Sequence, residues 1–295
     1  MRRLLLYLLI ASLILAGGYG LWYNNRPLPQ PMNNQPLFEG ITYRREIRHQ
    51  PRPIILHVVT VDLDAPGIGF LVTPKDALAG FDYQARTTSQ FLQAFNLQVA
   101  VNGDFFDPWR DNGPWDYYPH VGDGVNARGY TVSRGEVVTQ GYAPDEHSAA
   151  VYITADNRVT FEAPEAADIY NAVSGLTLLR DGAYNASWGD DAYLQQPHPR
   201  TVVALDQTGR TLLLMVVDGR QPNYSEGITL PELAELVIEL GGYDAINLDG
   251  GGSATLVMAG ENGEPVQLGS AIHTRIPARE RPVANHLGIY AETHH

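Results

Sequence analysis

The chain has 295 residues, 44% hydrophobic and 18% charged, which permits one large globular domain or two small ones and excludes a disordered, collagenous or coiled-coil protein. Lys and Arg number 20 against 33 Asp and Glu, a formal charge of -13 that opposes the phosphate-neutralising surface of a nucleic-acid binder. Cysteine is absent, excluding disulfides and a thiol nucleophile, and Lys75 is the only lysine, so positive charge is otherwise arginine, the bidentate partner of phosphate and carboxylate.

Arg2 and Arg3 precede Leu4 to Tyr23, an uncharged run long enough as a helix to cross a bilayer core. Residues 1–23 are therefore expected to be a signal anchor or signal peptide. Positive charge before the run would keep the N-terminus in the cytoplasm and place the rest outside it, in the periplasm or at the cell surface. Residues 24–37 are rich in Pro, Asn and Gln and read as a tether, so a single domain is predicted over 38–295.

Within that domain the helical pattern of Thr88 to Phe95 leads into a β-rich run, Gln98 to Asn102, that ends at Asn102-Gly-Asp104-Phe-Phe-Asp107. An aromatic and polar loop from Trp109 to Gly124 follows, whose Trp109, Trp115, Tyr117 and Tyr118 could stack on sugar faces or on one another. Asp104, Asp107 and Asp123 could hold Ca²⁺ or Mg²⁺, although no ligand spacing requires a metal.

Further on, Pro199 fixes His198 and Arg200 at the mouth of the strand Thr201 to Asp206. The run Thr211 to Asp218 ends in Asp218-Gly-Arg220, which a plain hairpin turn would also explain. Thr229 and Glu232 form a capping box for a helix over Thr229 to Leu240, with Leu233, Leu236, Val237 and Leu240 on one face and Gly241 as its stop. The strand Ala245 to Asp249 then hands a carboxylate to Gly250, Gly251, Gly252 and Ser253, more glycines than a two-residue hairpin needs. Their N–H groups could form an anion nest. Finally Arg281 and Asn285 lead into a closing strand, His286 to Tyr290. Sheet dominates and helices are few, so the expected class is α+β.

Taken in order, NGDFFD, HPRT, the block from Asp218 to Gly260 containing LDGGGS, and RPVAN resemble the phosphodiester glycosidase family. The likeness implies a mixed, largely antiparallel β-sheet with flanking helices. It also implies hydrolysis of a sugar-1-phosphodiester at the glycosidic bond, releasing a GlcNAc-like sugar and a phosphomonoester. Asp249, Asp218 and Asn102 are the catalytic candidates. The candidates for substrate binding are Arg200, Arg220, Arg281, His198, Asp104, Asn285, Ser253 and the three glycines 250–252. Asp104 departs from the glycine common in the family at that place. The competing readings are a non-catalytic envelope module for anionic glycans and a phosphodiesterase that cuts the P–O bond.

Overall fold

In a computed structural model, residues 2–76, 78–142, 147–185 and 194–293 are described. The principal elements in chain order are α1 Arg2–Asn24, β1 Met32–Phe38, β2 Ile41–Arg48, β3 Ile54–Asp62, β4 Gly69–Val72, α2 Thr88–Phe95, β5 Val99–Asn102, β6 Ser148–Ile153 and β7 Asn171–Arg180. They continue with β8 Arg200–Asp206, β9 Thr211–Val217, α3 Leu230–Glu239, β10 Gly242–Asn247, β11 Leu256–Ala259, β12 Pro265–Gln267 and β13 His286–Tyr290.

Two sheets result. The larger runs β1-β2-β3-β9-β8-β10-β7, with β6 paired along β7, and the smaller runs β12-β11-β5-β13-β4. Pairing within both is antiparallel, and the parallel pairings described are isolated bridges, Gly129 with Tyr142 and Ile272 with Arg279. The largely antiparallel sheet expected from the sequence is present, without the parallel strand pairs that a mixed sheet would add among the described residues.

Side-chain parity decides what each face meets. Val59, Val61, Leu214, Val216 and Val203 of the large sheet pack on Val99, Val101, Leu256, Leu287 and Ile289 of the small one. The alternate residues Leu56, Val58, Leu213, Met215, Val202 and Ala204 pack on Leu230, Leu233, Leu236 and Val237 of α3. Phe91 and Leu92 of α2 cover Leu71, Ala100 and Val257 on the outer face of the small sheet. The order is α3, large sheet, small sheet, α2, so β9 is apolar on both faces and reads as an unbroken run. Burying one such Leu or Val stabilises the fold by roughly 1.5–3 kcal/mol.

The expected capping box, Thr229 with Glu232 on α3, forms, and α2 carries a second that the sequence reading did not name, Thr87 with Gln90. The tether, however, ends earlier than expected. Met32–Phe38 is a strand paired with β2, with Pro36 tolerated because β1 is an edge strand. Its Asn and Gln side chains are exposed, which hides the strand from a hydrophobicity reading. α1 is helical as expected, and Leu8, Leu13, Ile14 and Leu15 on it are 59–74% exposed. Among the described residues no helix is long and apolar enough to cross a membrane. The side chains of Leu4, Leu6 and Ala16, part of the expected span, lie outside the described residues.

Candidate active site

Register places the motifs together. Arg200 pairs with Val217, Val202 with Asn247, and His286 with Asn102, so the start of β8 and the ends of β9, β10 and β5 meet at one edge of the two sheets. There a cavity of about 520 Å³ opens, floored by Asp249, Gly250, Gly251 and Gly252 and walled by Arg128, Arg220, Arg275, Arg281, His198, Asp111 and the aromatic Phe105, Phe106 and Trp109. Four arginines on a chain of net charge -13 make this a local focus of positive potential, suited to an anion.

Each glycine of the floor has its own steric reason. A Cβ on Gly250 would stand 2.6 Å from the Pro199 carbonyl oxygen. One on Gly251, whose φ is +60°, would stand 2.8 Å from the Arg220 guanidinium, and one on Gly252 would stand 2.6 Å from that of Arg281. The glycines therefore admit two guanidinium groups close to the backbone. The expected N–H nest is largely committed elsewhere, because Gly250 N–H donates to Asp249 Oδ1 (2.8 Å) and Gly251 N–H to the Pro199 carbonyl (2.9 Å).

Asp249 is the carboxylate of the floor. Burial raises its pKa, opposed by hydrogen bonding from Ser253 and Gly250 and by the charges of Arg281 and Arg220. Arg281 is held by an ion pair with Asp111 and donates to His273 Nδ1 (3.2 Å) and Ser253 Oγ (3.3 Å). Arg220 Nε donates to His198 Nδ1 (3.4 Å), which requires a neutral acceptor nitrogen. Burial first, then the charges of Arg220 and Arg200, push the His198 pKa down to about 4. Arg220 and Arg275 both sit in left-handed backbone, φ 57° and 61°, at a cost of roughly 1–2 kcal/mol each. Strain of this kind is concentrated at ligand clamps.

Several sequence candidates lie behind the cavity instead of lining it. Asn102 is fully buried and donates to the Asp249 carbonyl (2.7 Å), while its Oδ1 accepts from Thr201 Oγ1 (2.7 Å) and Thr255 N–H (3.1 Å). It clips β5 to the backbone of Asp249 and does not orient sugar hydroxyls. Asp104 is also buried, accepting from Phe105 N–H (2.7 Å) and Gly129 N–H (2.5 Å), and its own N–H donates to Asn285 Oδ1 (2.8 Å). Burial, with some help from the nearby Asp249 charge, lifts its pKa to about 7. Asn285 completes that support through Thr131 (3.1 Å).

Arg200 and Asp218 are corrections. Arg200 shares the face of β8 that packs on α3, and its guanidinium donates to the carbonyls of Ile228, Leu194 and Gln196 at 3.3 Å. Asp218 is buried against His57 (3.3 Å), which in turn meets the Tyr43 hydroxyl (2.7 Å), and accepts from Ser270 N–H (2.9 Å). Neither faces the cavity. Of the proposed cation ligands, Asp107 pairs with Arg128 and Asp123 with His120, and no cluster of three metal-ligating side chains occurs among the described residues. Trp109 lines the cavity, whereas Trp115 is 97% exposed and Tyr117 packs on His273. The sequence reading omits Arg128, Asp111 and Arg275, which sit in a bend, a two-residue strand and a short 3-10 helix without a recognisable motif.

A sandwich of antiparallel sheets with an arginine-walled, aspartate-floored cleft at its strand ends defines a class of protein suited to a small anionic ligand. A family model described as phosphodiester glycosidase matches residues 95–290. The chain belongs to the phosphodiester glycosidase family, a family of hydrolases. Over 61 residues it is 48% identical to N-acetylglucosamine-1-phosphodiester alpha-N-acetylglucosaminidase of Bos taurus, a match that spans 21% of this chain and only 11% of that protein. Its fold is similar to the catalytic domain of the zebrafish enzyme of that name, auto-inhibited by its pro-peptide, with a TM-score of 0.62 and 22% identity over 90% of this chain and 87% of the other. It is also similar to a putative exported protein of Burkholderia pseudomallei, with a TM-score of 0.52 and 17% identity over 80% and 74% of the two chains.

Proposed function

We propose that the protein hydrolyses a sugar-1-phosphodiester at the C1–O bond, releasing a GlcNAc-like sugar and a phosphomonoester. The observation that carries this reading is the composition of the cleft: among the described residues Asp249 is its one carboxylate apart from Asp111, which is ion-paired to Arg281, and it faces several guanidinium groups. Ordinary glycosidases use two carboxyl groups because an alkoxide leaves poorly without a proton. A phosphomonoester is a weak base and leaves as an anion, so one carboxylate and a cationic wall suffice. Asp249 either takes the proton of the water that attacks C1, or attacks C1 itself to form a glycosyl ester that water then cleaves, freeing the sugar, regenerating the carboxylate and releasing the proton to solvent. The C1–O electron pair passes to the phosphoryl oxygen, and Arg220 and Arg281 take up that charge.

Hydrolysis in ¹⁸O-water tests the bond cleaved. The phosphomonoester is expected to stay unlabelled by phosphorus NMR; label in the phosphate would mean P–O cleavage and overturn the mechanism.

Gly252→Ala should push Arg281 out of line and lower kcat/KM by about 10²-fold, with little change in melting temperature. Full activity in this variant would contradict the steric role given to the glycine.

The Arg2-Arg3 pair ahead of the uncharged run Leu4 to Tyr23, together with the exposed apolar side chains of α1, supports an anchor that holds the domain outside the cytoplasm.

A further inference from the structure

Two of the arginines that wall the cleft are each met by an aspartate from one short stretch of chain, residues 107–111. Arg128 and Asp107 form a two-bonded fork, with Nε donating to Oδ2 (2.5 Å) and Nη2 to Oδ1 (2.8 Å). Arg281 donates through Nη2 to Asp111. Trp109 lies between the two aspartates in sequence, and its ring centre is 5.7 Å from the Arg281 guanidinium carbon. We propose that Asp107 and Asp111 set the charge the cleft retains, so that it holds a phosphodiester monoanion and lets go of the dianionic phosphomonoester formed from it. The inference rests on the hydrolase reading above.

Cleavage raises the charge on the ligand. A phosphodiester carries one negative charge, whereas a phosphomonoester carries roughly 1.5–2 near neutral pH. Coulomb energy is proportional to the charge of the ligand, so a wall of uncompensated guanidinium groups would hold the product more tightly than the substrate and slow turnover. Carboxylates fixed on that wall oppose the trend, because each repels the second charge as strongly as the first.

Backbone pairing keeps both carboxylates in place. Phe106 and Asp107 pair with Ala127 and Asn126, directly ahead of Arg128. Asp111 pairs with Tyr117, whose ring packs edge-on against His273, and His273 Nδ1 accepts from Arg281 Nε (3.2 Å). Arg281 and Asp111 are thus held from both sides. Their side chains are 8% and 17% exposed, so water screens the pair little, while those of Arg128 and Asp107 are 46% and 54% exposed and are screened more. Asp111 therefore carries most of the effect.

The test uses two ligands without a glycosidic bond, methyl phosphate and dimethyl phosphate, titrated against the full-length chain in detergent and followed by phosphorus NMR. At about pH 8 methyl phosphate is a dianion. There Asp111→Asn should tighten Kd about threefold for dimethyl phosphate and about tenfold for methyl phosphate, since doubling the ligand charge doubles the gain in free energy and squares the fold-change. Asp107→Asn should show the same order with smaller changes, and Asp111→Glu, which keeps the charge, should bind both ligands as wild type does. At about pH 5 methyl phosphate is a monoanion, and its gain in Asp111→Asn should fall to that of dimethyl phosphate. Burial keeps His198 and His273 neutral over this range, with pKa values pushed down to about 4, and the four arginines stay charged. Asp249, His120 and Asp104, whose carboxyl burial lifts to about 7, are common to every variant and cancel in the ratio of variant to wild type. Equal gains for the two ligands at the higher pH, or no gain, would overturn the charge role and leave the aspartates as braces of their loop. Selectivity as stated without turnover of any sugar-1-phosphodiester would overturn the hydrolase reading; turnover without selectivity would overturn the role of the two aspartates alone.

Discussion

Asp249→Asn is expected to lower kcat for a sugar-1-phosphodiester by about 10³-fold or more, the loss that follows when the group delivering oxygen to the reacting carbon is removed. KM should hold or fall, because the substitution removes a negative charge from a cleft that binds an anion. Asparagine keeps the shape of the side chain, its Oδ1 still accepts from Gly250 N–H, and the brace from Asn102 goes to the main chain and is untouched. The folded state should therefore survive, which a melting curve checks. Steady-state kinetics with phosphorus NMR of the products reads the rest. An Asp249→Asn variant with wild-type kcat would remove Asp249 from the mechanism, and one that neither binds nor turns over would point to misfolding of the floor.

The pH profile carries the same assignment. Burial holds the Asp249 carboxyl above the ordinary range near ~3.9, and the ionised form is the one that acts. Activity is then lost as pH falls through a value above that range. His198 titrates at about 4, so it is neutral across the working range and adds no limb there. An acid limb below the ordinary carboxylate range would be incompatible with Asp249 in this role.

Much of this was legible in the sequence because it is local. The Thr229–Glu232 capping box and the glycine stop after α3 each depend on a few neighbouring residues, and each forms as read. What was not legible depends on pairing. Asp218 and Asp249 occupy the same pattern, an apolar strand ending in Asp-Gly, yet β9 is paired to β3 with Val216 opposite His57, so the Asp218 carboxylate meets an imidazole 161 positions away. The end of β10 pairs instead with the apolar Val202 and Leu176, and Asp249 beyond it opens onto the cleft. Arg200 was assignable in principle from parity: it shares a face with Val202 and Ala204, whose apolar character marks the side covered by α3.

β7 escapes a sequence reading for a related reason. Its Ser174-Gly175 centre resembles a turn, but the glycine is required because a Cβ there would come within 2.7 Å of the Asn247 carbonyl of the adjacent strand. A break in the hydrophobic pattern marks a close backbone approach in the middle of the sheet. The same lesson applies to the arginines. Arg220 stands in a recognisable motif, whereas Arg128 and Arg275 reach the cleft from a bend and a short 3-10 helix whose paths only the assembled sheets define.

Arg220→Gln is expected to lower kcat/KM for phosphodiesters by about 10²- to 10³-fold, the range found when one donor to a developing oxyanion is removed. Its guanidinium packs against Gly251, beside the carboxylate that opens the bond, and its charge is available to the oxygen that departs. A 4-nitrophenyl glycoside of the same sugar has no phosphoryl group to stabilise, so its slow hydrolysis should lose far less, about tenfold at most. Two titrations move with the substitution. Arg220 lowers both the Asp249 and the His198 pKa, so its removal should shift the acid limb of activity upward and raise the His198 value from about 4 toward ~6.5. Proton NMR of the imidazole reads the second shift directly. Equal losses on the glycoside and the phosphodiester would assign Arg220 to holding the fold of its loop; a selective loss with both titrations displaced upward assigns it to the charge on the leaving phosphate.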